Sequence, residues 1–179
     1  MFTQKISQPT DVNEVNFQVG DNVVYPMHGV GIIISEENQS VAGVDMTVYV
    51  ISFSHDRVTL RIPKNRTAKV GLRSLSSESD VEFAFKILSN KIRSSKNQRG
   101  RIMWSKRARK YESMIHSGSL ILLAEVIRDL YKPDGEDHSY SEKQIYDTAM
   151  LRFVQEYSIL KKVTKDEALQ KIISTLNYS

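Results

Sequence analysis

The chain has no cysteine among its 179 residues, which excludes disulfides, thiol nucleophiles and the commonest structural zinc sites together. Its four histidines, His28, His55, His116 and His138, are scattered without ligand spacing, so no metal site is expected. No apolar run approaches the roughly 20 residues of a membrane span, and MFTQKISQPTDVNEVN lacks the apolar core of a signal peptide. A cytoplasmic protein is the expectation. A Gly-rich phosphate loop, clustered carboxylates and a Ser-His-Asp arrangement are also missing, which argues against an enzyme, a metal-dependent nuclease included, and against any cofactor.

Negative charge is missing from one place in particular. Between Lys86 and Lys110 there is no Asp or Glu, but there are ten of the 25 cations, and the rest of the chain holds fifteen cations against 21 acids. One segment therefore carries the whole positive excess of +4. Like charges crowded this closely repel unless something neutralises them, so the segment fits a polyanion-binding face on an otherwise acidic protein. A solvated helix face beside a basic loop is the plainer alternative.

Along the chain, residues 1–15 are polar and read as a disordered tail. From Phe17 to about Leu75, FQVGDNVVYP, GVGIIISEENQ, MTVYVISFS and RVTLRIP follow one another as short β-like runs bounded by Gly, Pro, Asp or Asn. That spacing suggests a small antiparallel barrel. In RVTLRIP, Val58, Leu60 and Ile62 alternate with Arg57, Thr59 and Arg61, which turns Arg61 toward solvent or a partner.

The pattern changes near residue 77. Ser79 and Glu82 form a capping-box pair, and Val81, Phe85, Leu88 and Ile92 recur at helical spacing. SSKNQRG interrupts as a loop. A second helix is predicted from Ser105 as N-cap to about His116, with Gly118 as its left-handed terminator. A third runs from Ser119 and stops before Pro133. Ser141 with Gln144 opens a fourth, and Thr164 with Glu167 the last. The fold class is therefore α+β in two domains: a β domain over 16–77 and an all-helical domain of about five helices over 78–179.

RIMWSKRARK, residues 101–110, sets the only tryptophan among Arg101, Lys106, Arg107, Arg109 and Lys110. With Ser105 as N-cap, Lys106 and Arg107 fall in a first turn already favourable to anions, where a phosphate would make cations favourable too. Trp104 would then precede the helix. There it could wedge apolar surface against base steps, as minor-groove binding proteins do. It could equally fold back on the first turn, stacked on Arg109, or cover the helical core with Ile102 and Met103. The residues alone leave both open. Tyr111, Met114 and Ile115 are spaced as a core-facing stripe.

FQVGDNVVYPMHGVGII, followed by TLRIP, VGLR and MWSKRARKY…LAEVIRDLY, resembles the CarD/CdnL family of bacterial transcription regulators over roughly residues 16–165. The β domain is also similar to the polymerase-binding module of transcription-repair coupling factors, although no helicase motifs follow it. The resemblance implies that the β domain is a Tudor-like barrel binding the RNA polymerase β subunit. It implies that the helical domain contacts promoter double-stranded DNA, with low sequence specificity, at the upstream edge of the transcription bubble and stabilises the open complex. A monomer needing no cofactor is implied. The family's tryptophan wedge falls on Trp104, its flanking cations on Lys106, Arg107 and Arg109, and its polymerase-contacting arginine on Arg61. A second such arginine is replaced by Gln39, which turns a charge-assisted pair into a neutral hydrogen bond. An aromatic residue common in relatives is replaced by Ala108, and KNQRG is more basic than usual. A polymerase-independent architectural DNA-binding protein is the alternative.

Overall fold

The computed structural model describes residues 16–41, 43–90, 101–132 and 138–177. The proposed tail 1–15, Ile92, the SSKNQRG loop with Lys96 and Arg99, and most of the loop after Lys132 lie outside these residues. Strands β1 (Asn22–Tyr25), β2 (Gly29–Val41), β3 (Val44–Phe53), β4 (Val58–Pro63) and β5 (Arg73–Ser74) precede helices α1 (Glu78–Leu88), α2 (Arg101–His116), α3 (Leu120–Leu130), α4 (Tyr140–Lys161) and α5 (Lys165–Asn177).

The strands form one antiparallel sheet in the order β4-β3-β2-β1-β5. Its two ends, β4 and β5, are not paired in that order, so an open sheet replaces the expected closed barrel. The four longer strands coincide with the alternating runs. Strand β5 is only two residues long, too short for any periodicity to announce it. In β4 the alternation holds: Ile62 is buried and Arg61 exposed, with Arg61 opposite Val50. The sheet's core gathers Phe17, Val23, Ile33, Tyr49, Ile51, Phe53, Ile62 and Leu72. Tyr49 fastens the segment leading into β1, because its hydroxyl both accepts from the Phe17 N–H and donates to the Phe17 carbonyl, each at 3.0 Å.

Gly31 is required by this packing. A Cβ there would lie 2.7 Å from Phe53 Cε1 and 2.9 Å from Ile51 Cγ2, both in the tightly packed core. Gly31→Ala should therefore destabilise by about 1–3 kcal/mol through overpacking, read as a lower urea midpoint with an unchanged slope.

The helices enclose a second core, separate from the first, around Leu88, Tyr111, Leu123, Ile127, Phe153 and Ile172. Helix α3 lies within it, packed by α1, α2 and α4. Two capping boxes sit two residues earlier than the expected pairs. Ser77 with Asp80 opens α1, and Ser139 with Glu142 opens α4. Thr164 and Glu167 bond each other's backbone N–H at the start of α5 as expected. Gly118, at φ +70°, ends the α2 turn as expected.

A polar junction joins the two modules. The Arg73 guanidinium donates to both Glu156 carboxylate oxygens at 2.9 Å and to the Gly118 carbonyl, while the Ser76 N–H and hydroxyl donate to Glu156 Oε1 at 2.8 and 2.7 Å. The Glu156 side chain is 2% exposed. Beside it, Arg152 on α4 donates to the carbonyls of Pro26 (2.5 Å), Met27 (2.7 Å) and Ile115 (3.2 Å). Every donor and acceptor named here has its partner, which is what allows so much polarity at a buried seam.

Candidate nucleic-acid interface

Helix α2 is continuous from Arg101, four residues before the expected N-cap. Ser105 is an exposed residue within the helix, and Trp104 is helical and does not precede the helix. Lys106 and Arg107 leave the first turn, so the argument from unpaired N–H groups no longer applies to them; of the candidate cations only Arg101 begins the helix. The reason lies in spacing. Trp104, Arg107 with Ala108, Tyr111, and Met114 with Ile115 recur at three and four residues, one continuous stripe that Ser105 does not interrupt.

That stripe faces inward. Trp104 is half-buried against the helical core, as is Ala108. Ala108 therefore sits on the inward side of α2, against the helical core, and not on its outward side. The indole Nε1–H donates to Ser141 Oγ on α4 at 3.0 Å. Across the ring lies the guanidinium of Arg107, not Arg109, 5.6 Å from the Trp104 centroid and 5.7 Å from that of Tyr111. Arg107 Nη2 also donates to the Tyr111 hydroxyl at 3.3 Å. Trp104 and Tyr111 stand with centroids 6.5 Å apart.

Lys106, Arg109 and Lys110 occupy the outward side of α2 and are exposed. Among the described residues no carboxylate pairs with them. These three like charges on one helix side are the arrangement a phosphate backbone would neutralise.

Ser141 belongs to a fixed helix start. Ser139 accepts from the Glu142 N–H, and Glu142 accepts from the Ser139 N–H at 3.1 Å and from Lys132 at 3.2 Å. Burial pushes the Glu142 carboxyl up, but the Ser139 N–H and the Lys132 ammonium outweigh it and hold the group below its ordinary value. Next to Ser141, Tyr140 is 80% exposed.

On the sheet, Arg61 and Gln39 converge on one carboxylate. Arg61 Nε and Gln39 Nε2 both donate to Glu37 Oε2, at 3.1 and 3.2 Å. The Arg61 bond is the main cause holding Glu37 below the ordinary carboxylate value. Arg61 remains about half exposed. The two candidate partner-contacting positions thus form a single polar patch.

No group of three metal-capable side chains occurs among the described residues, and no described helix is long and apolar enough to cross a membrane.

Comparison with known proteins covers both modules. The CarD C-terminal domain matches residues 84–173, and the CarD-like/TRCF RID domain matches residues 17–76. The chain belongs to the CarD family. "Putative transcription factor YdeB" of Bacillus subtilis (strain 168) is 31% identical over 152 residues, 84% of this chain and 96% of that protein. The solution NMR structure of the 72-residue N-terminal domain of Myxococcus xanthus CarD is 27% identical, covering 40% of this chain and 95% of that domain, with a TM-score of 0.31.

In this CarD-family chain Ser141, which the sequence marks only as part of a helix cap, is a partner of Trp104, and Arg73 and Glu156, which it does not mark at all, form the junction pair. No local signal marks either contact, because the partners are 37 and 83 residues apart.

Proposed function

We propose that this protein is a transcription regulator that docks on the RNA polymerase β subunit through its sheet module, with a Tudor-like chain path, and grips promoter DNA through α2, stabilising the open complex at the upstream edge of the bubble. The observation that carries this reading is the row of exposed Lys106, Arg109 and Lys110, which no carboxylate pairs among the described residues, on the helix that also bears the partly buried Trp104. The family's CarD-like/TRCF RID domain and the name of the Bacillus subtilis relative support the partner and the process.

Phosphate contacts supply affinity without sequence information, so promoter binding is weakly specific and strongly salt-dependent. Placement comes from the polymerase, which raises the local concentration of the helical module at the promoter. The geometry suits this division of labour. Helix α4 carries Ser141 at one end and Arg152 and Glu156 at the junction, so about 16 Å of helix separates the tryptophan's anchor from its first contact with the sheet module, at Arg152. Stabilisation requires that Trp104 meet the melted fork better than the closed duplex, since equal contact with both would shift nothing.

The test is the lifetime of a promoter open complex formed by polymerase from the same organism, with and without the protein. A longer lifetime with it is expected. Arg61→Glu should abolish that effect while leaving the protein's affinity for free DNA unchanged, because it places a second carboxylate beside Glu37 on the docking patch and touches nothing on α2. A loss of free-DNA affinity in Arg61→Glu would overturn the assignment of the sheet module to polymerase.

A further inference from the structure

We propose that Ser141 and Arg107 are positioning residues for Trp104, holding the indole in the attitude in which it meets DNA, and that Arg107 is not itself a phosphate ligand. This rests on the reading of Trp104 as a wedge.

An indole has one polar atom, a donor only, and two torsions that decide which edge faces outward. Here the donor is committed. The 3.0 Å bond to Ser141 ties the ring to a different helix from the one that bears it. Ser141 sits in the first turn of α4, which the Ser139–Glu142 box and Lys132 keep wound. The ring's attitude is therefore set by the packing of α2 against α4, not by a loop. The Arg107 guanidinium covers the Trp104 ring and reaches the Tyr111 ring and hydroxyl as well. To reach a phosphate it would have to abandon contacts with two aromatic rings, whereas among the described residues no aromatic ring covers Lys106, Arg109 or Lys110.

A side chain ordered before binding does not have to be ordered during it. On that ground the bracket contributes roughly two- to tenfold to complex lifetime.

Trp104 is the only tryptophan of the chain, so the fluorescence of the full-length protein reports its packing with no polymerase present. Ser141→Ala is expected to raise acrylamide quenching of Trp104 and shorten the open-complex lifetime two- to tenfold, with helix content by circular dichroism unchanged. Ser141→Thr, which keeps the hydroxyl, should restore both. Arg107→Gln should raise quenching but leave the salt slope of binding to a promoter duplex unchanged, whereas Arg109→Gln should reduce that slope by about 0.9. Wild-type quenching and lifetime in Ser141→Ala overturn the bracket, as does increased quenching with a wild-type lifetime. A slope reduced by about 0.9 in Arg107→Gln makes that residue a phosphate ligand and overturns its assignment. If Trp104→Ala itself keeps the wild-type lifetime, the wedge reading fails and takes this proposal with it. That outcome differs from failure of the bracket alone, in which Trp104→Ala shortens the lifetime and Ser141→Ala does not.

Discussion

Glu156→Ala should lower the thermal midpoint by on the order of 10 °C, corresponding to a loss of about 3–5 kcal/mol. Removing the carboxylate strips a bidentate partner from Arg73 and the acceptor from both the Ser76 N–H and hydroxyl. Four donors, two of them on Arg73, then face a cavity within a seam where the lost group was only 2% exposed. An unmatched buried charge and unmatched donors cost far more than the intact pair contributes, so the effect comes from what is left behind. Glu156→Gln separates the two causes: it keeps the volume and an acceptor, removes the charge, and should fall between wild type and Ala. Differential scanning calorimetry is the measurement, and a loss below about 1 kcal/mol for Glu156→Ala would show that this junction does not hold the two modules together. The junction's consequence for function follows from its position. If it loosens, the helical module is no longer held at a fixed distance from the docking patch, and the effect on open-complex lifetime should fall even where both modules stay folded.

How far the sequence could be read follows the range of each interaction. Strands β1 to β4 were legible because alternation is local: Val58, Leu60 and Ile62 set the register of β4 without help from elsewhere. The exposure of Arg61 came from the same alternation. The α1 and α4 starts were misplaced by two residues because SSESDVE and HSYSEKQ each offer two overlapping serine-to-acid or serine-to-amide pairs, and tertiary packing chose the earlier in both. Ser105 failed for a different reason. A serine before a basic run looks like a cap, but the inward stripe begins at Trp104 and winds the helix back to Arg101. The bracket around Trp104 was half legible: Arg107 and Tyr111 lie three and seven residues on along the same helix, whereas Ser141 is brought in by the packing of α4. Arg73 and Glu156 were invisible, since a glutamate within QEYS is indistinguishable in sequence from a solvated helical one.

Trp104→Ala should shorten the open-complex lifetime by about 5- to 150-fold, or to the value of polymerase alone if that is reached first, while binding to closed duplex changes little. The figure follows from the about 1–3 kcal/mol that an aromatic contributes when it stacks on an unpaired or splayed base, a contact that closed duplex does not offer. The same substitution also removes a ring packed on the helical core and a hydrogen bond to Ser141, so part of any loss could come from a loosened α2. Trp104→Phe resolves this. Phenylalanine keeps an apolar ring against the core and a face for stacking but has no N–H for Ser141, so it should retain most of the thermal stability while its lifetime lies between wild type and Ala. A lifetime for Trp104→Phe as short as for Trp104→Ala would mean that the indole's fixed attitude matters more than its apolar surface. Equal losses of closed-duplex and open-complex binding in Trp104→Ala would mean that the residue serves only to hold α2 in place, leaving the DNA grip to Lys106, Arg109 and Lys110.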